Sequence, residues 1–71
     1  MPPIQTVEEA IITGEAFVAR YYSFKRPLEA KKEDGTWLVV FDVGILTQVR
    51  VQLKIDANSG SIIEYTAPEN V

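Results

Sequence analysis

The sequence predicts an α+β fold: one N-terminal helix packed on a four-stranded antiparallel meander sheet, in two layers. Three observations carry this. A capped stretch with a period of 3.6 opens the chain, a strictly alternating stretch occupies residues 48–56, and two turn signals, Asp34-Gly35 and Ala57-Asn58-Ser59-Gly60, divide the remainder into strand-length pieces.

Residues 1–5 are expected to be an extended or disordered lead-in, because Pro2 and Pro3 discourage helix. Thr6-Val7-Glu8-Glu9 has the capping-box form. The hydroxyl accepts from a first-turn amide, and the carboxylate three residues on reaches back. Val7, Ile11, Gly14, Val18 and Tyr21 then recur at helical spacing, widened by Ala10 and Phe17. The helix is expected over residues 6–23. Gly14 costs a mid-helix position about 1 kcal/mol against Ala, so its place on the apolar stripe predicts a close approach to another backbone. Ile12, Ala16 and Ala19 form a second, narrower apolar stripe.

Pro27 ends any helix, and after it the period becomes 2. Leu28 to Glu33 reads as a short edge strand. Asp34-Gly35 reads as a tight hairpin turn. Thr36 to Val43 reads as a strand with Trp37, Val39, Phe41 and Val43 on one face. Leu38 and Val40 make its other face apolar too, which predicts a central strand. Residues 44–47 read as a loop. From Gln48 to Asp56, Val49, Val51, Leu53 and Ile55 alternate with Gln48, Arg50, Gln52 and Lys54, and the apolar set is expected to meet Ile11, Phe17, Val18 and Tyr21. Ser61 to Thr66 reads as the last strand. The 71 residues make a single domain, 1–71, with flexible ends at 1–5 and 67–71.

Composition excludes several kinds of chemistry. There is no Cys and no His, which removes thiol nucleophiles, disulfides and Cys/His zinc sites, along with the side chain that titrates near neutrality. Seven basic and ten acidic residues give a net charge of −3. The balance is uneven: Arg20, Lys25, Arg26, Lys31 and Lys32 face only Glu29 within one short segment. The longest apolar run is Trp37-Leu38-Val39-Val40-Phe41, far short of the ~20 residues of a membrane span. The start of the chain lacks the pattern of a secretory signal. A cytoplasmic protein without a membrane partner is expected. A core this small is often supplemented by self-association.

Two segments resemble PepSY-like domains, the small α+β modules found in peptidase propeptides. Thr6-Val7-Glu8-Glu9-Ala10-Ile11 resembles that family's capped helix start. Val51 to Ile63, with its Asp56-Ala57-x-x-Gly60 turn followed by the apolar pair Ile62-Ile63, resembles its strand–turn–strand. Trp37 and the alternation after it fit the preceding strand. The resemblance implies a non-catalytic module with a proposed role in binding or inhibiting peptidases. The segment from Arg20 to Pro27 has no counterpart in the family pattern.

Each remaining constellation has a functional and a structural reading. Arg20, Tyr22, Lys25 and Arg26 interleave cations with aromatics, as in a platform for single-stranded nucleic acid. Structurally, Tyr21 and Phe24 would be core, Tyr22 would cover a sheet edge, and the charges would be solvated. The net negative charge opposes phosphate at long range. Asp56-x-Asn58-x-Gly60 superficially resembles a calcium loop, but its glycine falls one position early and Ala67 stands where the bidentate Glu belongs. A local Asx turn is the alternative. Glu8, Glu9 and Glu15 suit capping and solvation, and Ser23, Ser59 and Ser61 have no base partner. No catalytic, cofactor-binding or metal-binding residues are assigned, no cofactor is expected, and the chain is expected not to be an enzyme. Leu38, Val40, Ile45 and Leu46 would form an apolar patch if the second sheet face is bare. That patch would mark a protein interface, most simply a homodimer with a further partner unknown. Alternatively, the tail or the 44–47 loop folds over it.

Overall fold

The computed structural model describes residues 3–67. One helix, α1 (Val7–Val18), is followed by β1 (Arg26–Glu33), β2 (Thr36–Asp42), β3 (Arg50–Asp56) and β4 (Ile62–Thr66). The strands form one antiparallel sheet in the order β1-β2-β3-β4, and α1 lies on its inner face. This is the two-layer α+β meander that the periodicities predict.

The capping box forms in full. Glu9 N donates to Thr6 Oγ1 at 3.1 Å, and Thr6 N donates back to Glu9 Oε1 at 3.2 Å. The helix ends at Val18, short of the expected residue 23. Beyond it, the amides of Tyr21 and Tyr22 both turn back to the Val18 carbonyl, and the Tyr21 ring stacks on Tyr65 at 5.7 Å. Aromatic residues lose side-chain freedom in a helix, and here they gain cross-element stacking by leaving it.

The buried edge of α1 is Ala10, Gly14 and Val18, the i, i+4, i+8 row. Val7 and Tyr21, at the two ends of the predicted stripe, are exposed. Ile12, Ala16 and Ala19 are exposed as well. Gly14 does approach closely, but to side chains rather than to a backbone. A Cβ there would lie 2.8 Å from Phe41 Cε1 and 3.2 Å from Leu53 Cδ1. The missing side chain is what lets the helix settle onto the sheet.

Phe41, Leu53, Ile55, Val18, Val39 and Val51 are fully buried, each burial being worth about 1.5–3 kcal/mol. Across β2 and β3 the inner pairs are Trp37↔Ile55, Val39↔Leu53 and Phe41↔Val51. Asp34 and Gly35 have φ values of 50° and 74°, which gives the primed hairpin turn matching strand twist.

Two strand starts and the lead-in also depart from expectation, while β2 ends and β4 begins one residue from the expected positions. β1 starts at Arg26, so Pro27 lies inside a strand; β1 is an edge strand, where a missing N–H costs nothing, and the pairing register shifts between Pro27 and Glu29. β3 starts at Arg50 rather than Gln48, because the Val49 amide donates to Asp42 Oδ1 instead of a neighbouring strand. The lead-in is anchored: Ile4 is buried, its amide donates to the Ala57 carbonyl at 2.7 Å, and its carbonyl accepts from Trp37 Nε1 at 3.0 Å. Of the ends expected to be flexible, residues 1–2 and 68–71 lie outside the described residues.

Candidate functional site

The outer face of the sheet has no second layer among the described residues. Its centre is β2, where Leu38, Val40 and Asp42 point away from the helix. The register surrounds each of them: Leu38 stands between Lys31 and Lys54, Val40 between Glu29 and Gln52, Asp42 between Arg26 and Arg50. Leu38 is half-buried and Val40 is only 7% exposed. Long polar side chains lay their aliphatic stems along such apolar residues while keeping their charges in water. A shallow depression of about 340 Å³ crosses this face, lined by Leu38, Val40, Glu29, Lys31, Arg50 and Gln52 among others. The Lys31–Glu29 ion pair, at 3.9 Å, borders it, and a second pair, Lys54–Glu64 at 3.3 Å, lies on the other side of Leu38.

Ile45 and Leu46 are elsewhere, on the loop joining β2 to β3, and are 79% and 95% exposed. Neither lines the depression over Leu38 and Val40. The four candidate interface residues therefore divide into a shielded sheet face and a projecting loop.

The loop is built on Asp42. Its Oδ1 accepts from the amides of Gly44 and Val49, both at 3.0 Å, and its Oδ2 accepts from Arg26 Nη2 at 2.9 Å. The Val43 amide also donates to the Val49 carbonyl at 2.8 Å. The Val49 and Gly44 amides, followed by the Arg26 guanidinium, hold the Asp42 carboxyl below its usual pKa of 3.8, against the opposing effect of burial. Sequence reasoning missed Asp42. The available signal was an Asp two residues before a Gly at a strand end, the pattern of an Asx turn.

The cation–aromatic segment is split by the structure. Arg20 is exposed, Lys25 is half-buried, and Arg26 is bound to Asp42. Tyr22 is half-buried and packs against the core, whereas Tyr21 and Phe24, expected in the core, are 59% and 40% exposed. Phe17, Tyr21 and Tyr65 form an aromatic cluster with ring centroids 5.1–5.7 Å apart. Burial, with Tyr22 alongside, pushes the Tyr65 phenol up to about 12. In the β3–β4 turn, Asp56 Oδ1 accepts from the Asn58 amide at 2.8 Å and Gly60 takes a φ of 78°. That is the local turn chemistry weighed above against a calcium loop. Among the described residues, no group of three or more acidic residues is arranged to hold a metal ion, and no helix is long and apolar enough to cross a membrane.

No protein-family model matches this chain, and neither a curated protein nor a solved structure is similar to it.

Proposed function

We propose that this chain is a non-enzymatic protein-interaction module that pairs with a second copy of itself through the outer sheet face. The observation supporting this reading is the composition of that face: half-buried Leu38 and largely shielded Val40 on β2, with no second layer among the described residues, flanked by cations and anions in alternation. Glu29, Lys31, Lys54 and Glu64 place both signs around Leu38. A two-fold axis through this face would set such a surface against itself with charges of opposite sign in reach. Wild-type protein at tens of micromolar should elute from gel filtration with a light-scattering mass twice the monomer's 8.0 kDa. Leu38→Glu should elute at the monomer mass. A wild-type monomer under these conditions would end the self-pairing reading.

The resemblance to PepSY-like domains adds a peptidase as the class of heterologous partner. The alternative, a nucleic-acid-associated accessory protein using Arg20, Tyr22, Lys25 and Arg26, has less support, because Arg26 is engaged by Asp42 and Tyr22 by the core. A gel shift with single-stranded RNA at low salt tests it, since phosphate contacts are strongest there.

A further inference from the structure

We propose that the β2–β3 loop attaches the protein reversibly to a lipid surface bearing anionic headgroups, with Ile45 and Leu46 entering the acyl boundary. This goes beyond self-pairing through the sheet face, uses different residues, and replaces the expectation of a chain without a membrane partner.

The first argument is presentation. Loops usually expose polar side chains, yet Val43-Gly44-Ile45-Leu46-Thr47-Gln48-Val49 carries no charge and projects two adjacent aliphatic residues. The projection is ordered rather than slack. Both ends of the loop are tied to one carboxylate, Asp42. Its turn is so tight that a side chain on Gly44 would run into the Thr47 carbonyl. A tip fixed in advance has little conformational freedom left to lose on docking.

The second argument is charge. The end of the sheet that carries the loop also carries Lys25 and Arg50, beside the Arg26–Asp42 ion pair, and Phe24 adds a partly exposed ring there. The one acidic residue at the base of the loop, Asp42, is enclosed by Arg26 and two amides. The opposite end holds Glu8 and Glu9 near Ile4, with Glu33, Asp34 and Asp56 around the first turn, against Lys32 at that turn and Arg20 beside Gly60 and Ile62. Seven-residue β2 separates the two ends by about 23 Å at ~3.3 Å per residue. An anionic surface would therefore draw in the loop end and repel the far end, leaving the aliphatic tip pointed inward.

A second copy fits this end poorly. Two-fold pairing of loop ends would set cations against cations, and loop-to-acidic-end contact would not close on itself.

The test is co-sedimentation with vesicles of phosphatidylcholine alone and of phosphatidylcholine with phosphatidylserine, at low ionic strength. Wild type should sediment with the mixed vesicles and stay in solution with the neutral ones. Leu46→Asp should weaken binding more than tenfold, and Arg50→Gln about fivefold, the contribution of one cation near such a surface. Leu46 makes no core contact, so circular dichroism of Leu46→Asp should match wild type. Leu46→Trp should show blue-shifted emission only with mixed vesicles, against the constant background of buried Trp37. Monomeric Leu38→Glu should still sediment with mixed vesicles and should lose that binding when Leu46→Asp is added, which keeps this result separate from the fate of self-pairing. Three outcomes would overturn the proposal: no sedimentation of wild type with mixed vesicles, binding that Leu46→Asp leaves unchanged, or a vesicle-free sample whose mass drops on Leu46→Asp, which would assign the tip to a protein contact.

Discussion

Two residues bear disproportionate weight. At Gly14, the helix gives up about 1 kcal/mol of propensity relative to Ala, and the space is taken by Phe41 and Leu53. Restoring the methyl group gains the propensity but forces the Phe41 ring aside, an overpacking that costs about 1–3 kcal/mol. Gly14→Ala should therefore lose about 1 kcal/mol net, lowering Tm by several degrees in a thermal melt. A rise in Tm would show that the ring yields freely. At Asp42 the argument concerns protons. The folded-state pKa lies below the unfolded value, so the carboxylate's contribution to stability is complete above the unfolded value of 3.8 and is lost as pH falls through the folded one. Melting temperature measured from pH 6 down to pH 2 should fall less steeply for Asp42→Asn than for wild type. Parallel curves would mean that other carboxylates dominate the acid limb.

Among the elements, the β2–β3 connection is the most constrained. Gly44→Ala forces the Thr47 carbonyl to move, and the Asp42 bonds to Gly44 and Val49 depend on that geometry. Hydrogen exchange should accelerate at the Gly44 and Val49 amides while the Leu53 amide, in the middle of β3, stays protected. Uniform acceleration would instead indicate global destabilisation. This connection also marks where sequence reasoning ran out. The alternation through Val51, Leu53 and Ile55 was legible because a period of two leaves a half-buried strand few other forms. The capping box at Thr6 and Glu9 and the Asp34-Gly35 turn were legible because their chemistry is local. The full role of Asp42 was not: its bond to Gly44 is local, but Arg26 and Val49 lie 16 and 7 residues away and meet it only once the sheet has formed. The early end of α1 was hidden for the same reason: periodicity carries the stripe through Tyr21, and only Tyr65, brought alongside by β4, makes leaving the helix favourable.

At the scale of the whole molecule, the candidate surfaces are separated by design of the register. β2 supplies both: its outward residues make the sheet-face strip, and its last residue, Asp42, founds the loop that lifts Ile45 and Leu46 clear of that strip. An apolar patch was anticipated from Leu38, Val40, Ile45 and Leu46 together, because sequence proximity was all there was to group them. Alternation along β2 and the loop's closure set them apart, at a distance no linear pattern encodes. The two edges of the sheet differ as well. β1 carries a proline and a run of charges, which discourage strand addition, whereas β4 reads Ile-Ile-Glu-Tyr-Thr.

The strap from Ile4 to Trp37 and Ala57 has its own bearing on how the molecule is assembled. It joins Ile4 to both sides of the central hairpin, so the Trp37 indole finds its acceptor in a segment outside the sheet. A sheet folding without that leading segment would carry an indole proton with no acceptor in a dry interior, and the tryptophan itself would register the vacancy.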